Sequence, residues 1–416
     1  MYTLERKEKT FIIHLFFTTI LGGIIGILNY AFNILIARYT SPSEIFGTYS
    51  ASLGIIYLTQ ITGVAIQSIV TKTVARNKKN DLERYKWYSL LNFSILGVII
   101  AIIFFFSKAT IVELSSLPEN LIMYLAISIL LAFISPISKG LLLGTERIIF
   151  VNLLLLAETV LKFIIGIIAI KMGGNLPLLI MANSIPPVLT TIVILPLFKF
   201  KKRSKVEVRI DWKEFILMTI AFLLLTMPFT IDLVLVNKVF RPEYSSISLL
   251  GKLIYFACVT TSGVMFARLS NETDAKSQKK SLLLVITLSC VIGLVLSLLY
   301  FFFGEFIVKI SIGIQYIEIV RYLGVFGLCM MGYSVVYMVA NYFISRSTYS
   351  YIFILLASAI LQVVLFTVRN DTLMQVIQNQ VILYSLLTLG TVVFLLIKFY
   401  KDKNGREEKN TQTEDR

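Results

Sequence analysis

Residues 281–303 read SLLLVITLSCVIGLVLSLLYFFF, 23 positions in succession without a charge. At about 1.5 Å per residue, a helix of that length crosses a hydrocarbon core of about 30 Å. The run is apolar on every side, whereas a membrane β-strand would alternate apolar and polar positions over about ten residues. It reads as a transmembrane helix. Similar runs fill most of the 416 residues, and spans are expected near 11–37, 45–71, 87–106, 120–143, 148–170 and 176–198, then 214–237, 245–267, 281–303, 321–345, 350–368 and 379–398. The composition, 57% hydrophobic and 15% charged, agrees, because a soluble domain carries roughly 25% charge. The first run, from Phe11, has no small-residue cleavage pattern close behind it and is expected to be a retained span rather than a signal peptide.

The net charge of +15 is explained by topology rather than by a nucleic-acid partner. Lys and Arg in the N-terminal segment and in every second connector, with the C-terminal tail, number 29, against 7 in the opposite set at Arg38, Lys108, Lys171, Lys238, Arg241, Lys309 and Arg369. Both termini are therefore expected in the cytoplasm, with the chain in a bacterial inner membrane. Connectors of at most about 17 residues leave no room for a soluble domain between spans, and the tail at 401–416 reads as disordered. Cys258, Cys290 and Cys329 all fall inside apolar runs and His14 is the only histidine, so neither a disulfide framework nor a metal or cofactor site is expected.

The basic connector KFKKRSKVEVRIDWK, at 199–213, separates six spans from six. At an offset of 200 residues, ILIARYTSP (34–42) overlies VLVNKVFRP (234–242), aligning Arg38 with Lys238 and Pro42 with Pro242. Equal halves in one orientation suggest parallel repeats about an axis along the membrane normal. The expected fold is all-α integral membrane: twelve transmembrane helices in two six-helix lobes, 1–200 and 201–400, related by a pseudo-two-fold along that normal.

Two segments, ILIARYTSPSEIFGTYSASLGIIYLTQITGVAIQSIVTKTVAR (34–76) and GLLLGTERIIFVNLLLLAETVLKFIIGI (140–167), resemble the polysaccharide-biosynthesis flippase family. The first carries Arg38 at the end of span one, then Glu44, Phe46, Gly47 and Tyr49, and IDLVLVNKVFRPEY resembles the same element with Asp232 in place. The second half departs from the pattern in lacking a glycine near residue 247 to match Gly47. The superfamily also holds the multidrug and toxin extruders and the lipid II flippases. The resemblance implies two six-helix lobes around a central cavity, and movement of undecaprenyl-pyrophosphate-linked oligosaccharide from the cytoplasmic to the outer leaflet for O-antigen or capsule.

A sugar-pyrophosphate head cannot cross hydrocarbon unaided, so such a transporter must offer a polar, partly cationic lining. In span one Gly22, Gly26, Asn29 and Asn33 share one helix face, and in span two Gln60, Gly63, Gln67 and Thr71 do the same. The amides read either as a lining for sugar hydroxyls or as contacts across helices, and Gly22 with Gly26 reads as a packing motif. Ionisable residues inside spans are candidates by position. Glu158 and Lys162, four apart, can neutralise each other, or Lys162 can attract phosphate while Glu158 titrates. Lys252 is a further substrate-binding candidate and Asp232 a charge-tuning one, with a structural Asp232–Lys252 pair as the alternative. Pro186, Pro187, Pro196 and Pro228 are placed to kink spans six and seven.

Three functions remain open: the lipid-linked oligosaccharide flippase, with a polysaccharide polymerase as possible partner; a drug or metabolite cation antiporter of the same superfamily; and a membrane polysaccharide polymerase, which the short outer connectors disfavour. No catalytic residue is assigned. A cysteine substituted for Lys201 should resist an impermeant thiol reagent in intact cells and react once the membrane is opened. Labelling in intact cells would reverse the orientation.

Overall fold

In the computed structural model the apolar runs are helices. The structure describes residues 2–77, 82–197, 199, 208–269, 275–345 and 349–414, with side chains described except at 2–20, 197, 260–269, 275–278, 281, 344, 345, 349 and 401–414. Lys201 and Arg346 lie outside the described residues, as does most of the central basic connector. Long helices are α1 (Tyr2–Tyr39), α2 (Ser43–Arg76), α3 (Leu82–Phe106), α5 (Glu119–Gly144), α6 (Ile148–Lys171) and α7 (Leu176–Leu197), with the short α4 (Lys108–Ser115) between α3 and α5. They continue as α8 (Trp212–Thr230), a one-turn α9 (Asp232–Leu235), α10 (Arg241–Leu269), α11 (Ala275–Ser311), α12 (Val320–Ser345), α13 (Ile352–Val368) and α14 (Leu373–Glu414). Among the described residues, 10 helices are long and apolar enough to cross a membrane. The protein is an all-α, multi-pass integral membrane protein.

Two expectations change. The seventh run is not one helix to residue 237: α8 ends at Thr230, past Pro228, and the chain restarts as α9 at Asp232. Proline removes one backbone donor near the helix end, and Asp232 accepts from the Leu233 amide at 2.9 Å, as side chains at helix starts do. The tail from residue 401 is not irregular, because α14 continues to Glu414. Its Lys, Glu and Arg residues are good helix formers that need no apolar face to extend a helix already begun.

Side chains on α3 and α11 show which surface meets lipid. Ile99, Ile103 and Phe106 on α3, and Leu284, Val291 and Phe302 on α11, are exposed. In water that much apolar surface would be costly, whereas against acyl chains it is the expected exterior.

The chain forms two compact units, Met1–Ser246 with Lys309–Tyr316, and Ile247–Val308 with Ile317–Arg416. Within each, helices close on one another where glycine removes a side chain. In the first unit, a Cβ on Gly166 would lie 2.2 Å from Phe32 Cε2, so the ring of α1 seats in a notch on α6. In the second, a Cβ on Gly251 would lie 2.2 Å from Phe326 Cδ1, which sets α12 against α10. A close backbone approach in the first unit joins α2 to α5: a Cβ on Gly140 would meet Gln67 O at 2.9 Å, and one on Gly144 would meet Val74 Cβ at 2.6 Å and Thr71 O at 2.9 Å. This four-residue spacing of small residues is the packing motif of membrane helices. Gly22 and Gly26 do not play that part, since a Cβ at either meets nothing within 4 Å among the described residues. The turn from α6 to α7 needs glycine for another reason: Gly173 and Gly174 have φ of +76° and +78°, and their amides return to Ile170 O and Ala169 O at 3.0 Å, closing the end of α6.

The two copies of the sequence repeat each break a helix. α1 ends at Tyr39 and α2 begins at Ser43; α9 ends at Leu235 and α10 begins at Arg241. They also meet, within the first unit: a Cβ on Gly47 would lie 3.1 Å from Pro242 N and 3.3 Å from Arg241 Cγ. Gly144→Ala should lower the stability of the detergent-solubilised protein by about 1–3 kcal/mol, read as a fall in unfolding temperature. Gly22→Ala should leave it unchanged or slightly raised. Equal behaviour of the two would remove the α2–α5 contact as a determinant.

Candidate functional site

Five helices of the first unit, α1, α2, α5, α6 and α7, enclose a cavity of about 410 Å³. Its wall contains Asn29, Gln60, Gln67, Glu158 and Lys162, so the residues chosen from two amide stripes and one charged pair converge on one space. Asn33 is one turn above. It donates to Asn29 O at 3.1 Å and accepts from the Tyr49 hydroxyl at 3.4 Å, and Tyr49 in turn accepts from Asn183 Nδ2 at 3.1 Å. The Tyr49 of the family-like segment therefore joins α1, α2 and α7 through a buried polar chain.

The charged pair is not the expected one. Glu158 does not bond to Lys162; its Oε2 receives Lys139 Nζ of α5 at 2.7 Å and its Oε1 accepts from Thr190 Oγ1 of α7 at 2.6 Å. Lys139, counted with the 29 cytoplasmic-side cations although the span expected at 120–143 contains it, lies inside α5, which runs on to Gly144. A carboxylate in a poorly solvated site takes the partner that comes from a facing helix together with a second hydrogen bond, in preference to a neighbour on its own helix. Among the described residues Lys162 then pairs with no carboxylate. Its ammonium donates to Asn29 Oδ1 at 3.1 Å and stands 4.6 Å from the centre of the Phe32 ring. Asn29 is fixed for this, giving its amide hydrogens to Ile25 O at 3.0 Å and Thr159 Oγ1 at 3.3 Å.

Backbone adds to the polar wall. Pro186 and Pro187 lie inside α7, and because proline has no N–H, the carbonyls of Ala182 and Asn183 lose their helical donors. Pro136 inside α5 does the same for Ala132, and Gly63 of α2 fits over this spot, its absent Cβ 2.9 Å from Pro136 Cγ. Ala132, Pro136, Ala182, Asn183, Pro186 and Pro187 all line the cavity. Proline was visible in the sequence as a kink; that these prolines border one cavity becomes apparent once the helix faces are known.

Asp232 and Lys252 do not line this cavity. Asp232 is buried in the first unit at the start of α9, accepting from the Tyr244 hydroxyl at 2.6 Å. Lys252 is buried in the second unit, on α10.

No protein-family model matches the chain, and no curated protein matches it. Solved structures do. The lipid II flippase MurJ in an inward closed conformation superposes with a TM-score of 0.73 at 15% identity, over 91% of this chain and 87% of that one. An inward-facing multidrug resistance MATE family transporter of the MOP superfamily gives 0.72 at 14% identity, over 92% and 96%. The chain shares the fold of these transporters. A third MOP structure, a Pyrococcus furiosus transporter whose binding pocket is described as reversed in polarity, gives 0.57 at 14% identity, over 93% and 95%.

Because Glu158 and Lys139 are each largely shielded from solvent, removing one strands the other. Lys139→Met should destabilise the protein by about 3 kcal/mol or more, and the double change with Glu158→Gln should recover most of the loss. Membrane abundance and thermal unfolding of the singles and the double measure this. Equal losses in single and double variants would mean that the pair is not the unit.

Proposed function

We propose that the chain is an alternating-access transporter of the MOP fold that moves an organic substrate bearing an anionic group, without covalent chemistry. Twelve spans in two six-helix lobes, both termini cytoplasmic in a bacterial inner membrane, complete this reading. The observation that carries it is Lys162, an ammonium in a polar cavity among membrane-spanning helices, with amide and ring contacts and, among the described residues, no carboxylate partner. Glu158 is already matched by Lys139, so the three charged groups sum to one unmatched positive charge. In surroundings of low dielectric that charge favours an anionic partner strongly.

Two substrate classes fit. The fold comparisons give more support to a drug or metabolite cation antiporter, since MATE transporters recur among the similar structures. The cavity of about 410 Å³ also has the size of a small-molecule site. In this reading Glu158 is the carboxylate that exchanges a cation, and the cargo is an anionic or zwitterionic metabolite. The second class, undecaprenyl-pyrophosphate-linked oligosaccharide flipped for O-antigen or capsule, is favoured by the excess of ammonium over carboxylate and by the resemblance at residues 34–76 and 140–167. It brings with it a polysaccharide polymerase as partner. In both, Asn29, Asn33, Gln60 and Gln67 hydrogen-bond the cargo, while Lys252 is a separate cationic candidate in the second unit and Asp232 a charge-tuning candidate in the first, neither lining this cavity.

Lys162→Gln should leave membrane abundance unchanged and lower transport roughly tenfold, the loss of one charge-assisted contact. Two assays separate the classes: restoration of surface polysaccharide in a strain lacking its flippase, and restored resistance in a strain lacking its exporters. Transport by Lys162→Gln at the wild-type rate in whichever assay responds would dismiss the site.

A further inference from the structure

Away from that cavity, the second unit carries a groove of about 380 Å³ between α12 and α14. Its floor is apolar, formed by Val325 of α12 and by Met374, Ile377 and Val381 of α14. Its mouth is polar, with Arg321 in the first turn of α12 and Gln378 across from it. Arg369, in the turn from α13 to α14, donates through Nη2 to Gln378 Oε1 at 2.8 Å. From Met374 to Val381 the floor runs about 10 Å along the helix, part of the way down one leaflet.

Charge at the mouth is not cancelled from within. Glu318 and Asp371 are the carboxylates nearest in sequence, and among the described residues neither pairs with Arg321 or Arg369, nor do these arginines pair with any other. Arg321 lies over the ring of its neighbour Tyr322 at 4.7 Å, and it is exposed. A guanidinium near a membrane surface that needed only water could extend freely away from the apolar floor. Here one arginine lines the groove and a second is tied to its rim through Gln378, leaving both with donors to spare.

We infer that the α12–α14 groove is a binding site for an anionic phospholipid, with a phosphodiester between Arg321 and Arg369 and one acyl chain on Val325, Met374, Ile377 and Val381. The surroundings of a membrane-spanning helix pair supply acyl chains, and planar guanidinium groups suit phosphate oxygens in pairs. Under the topology proposed above the groove opens to the outer leaflet. Binding itself does not depend on that topology, nor on the identity of the transported cargo.

The test uses the full chain, purified in mild detergent, with native mass spectrometry of retained lipid after exposure to equal amounts of phosphatidylglycerol and phosphatidylcholine. The wild-type protein should retain phosphatidylglycerol roughly tenfold over phosphatidylcholine. The double variant Arg321→Gln with Arg369→Gln should lose the preference while keeping some lipid of both kinds. Val325→Trp, which fills the floor, should lose both, with unfolding temperature monitored to show that each variant is folded. Inorganic phosphate in excess should not displace the lipid; displacement would mean a simple anion site and would overturn the proposal. Equal retention of the two lipids by the wild type, or an undiminished preference in the double variant, would overturn it as well. Displacement by a polyprenyl phosphate but not by phosphatidylglycerol would assign the groove to a different lipid and overturn it in this form.

Discussion

A polar group left unpaired in hydrocarbon costs several kcal/mol, and the rest of this structure is arranged around that cost. Helices satisfy their own backbones, and serine and threonine side chains return to carbonyls of the preceding turn, as Thr71 does to Gln67 O at 2.7 Å and Ser297 to Gly293 O at 2.7 Å. Helix ends need outside help. Lys86, fully buried, donates to Leu195 O in the last turn of α7 at 3.0 Å while pairing with Glu83 at 2.6 Å. Asn379 of α14 reaches Leu365 O and Arg369 O, closing the end of α13. Glycine notches serve the same economy, because close backbones exclude lipid and leave few gaps to fill.

The cavity in the first unit is where that rule is relaxed. Three prolines line it, amides from α1 and α2 border it, and one ammonium has no carboxylate partner among the described residues. Each feature alone has a structural use. Together, in a fold shared with MOP transporters, they make a wall that a polar guest can complete. The Lys139–Glu158–Thr190 set shows that the protein can neutralise a charge here when it needs to, which makes the treatment of Lys162 the informative contrast.

Helix class and the positions of the spans were legible in the sequence because hydrocarbon thickness dictates run length. Asn29, Gln60 and Gln67 stood out because helical spacing puts the polar residues of each span on one face, and Lys162 because it is ionisable inside an apolar run. What failed depended on which helix lies beside which. Lys139, inside the span expected at 120–143, was counted with the cytoplasmic cations because the carboxylate that receives it lies on another helix. Glu158 was read either as paired with its i+4 neighbour or as free to titrate, because the facing helix that supplies Lys139 is not visible in a linear reading. Gly140 and Gly144 were overlooked while Gly22 and Gly26 were noticed, although both pairs have the same spacing; the difference lies in whether another backbone arrives. Asp232 was identified as unusual, but the helix break it begins was not, as Pro228 precedes it by a full turn.

Helix α2 spans 34 residues, so it is about 51 Å long, well beyond the hydrocarbon thickness of about 30 Å. It is fastened near its start to the α8–α10 turn through Gly47 and Gly54, and along its later turns to α5 through Gly140 and Gly144. A helix longer than the bilayer is thick fits by tilting, kinking or thickening the lipid around it, and close contacts at two places make tilting move its neighbours as well. Acyl-chain length in the host membrane therefore acts on α2 as a lever arm, and through Gln60, Gly63 and Gln67 it acts on the shape of the cavity that α2 helps to line.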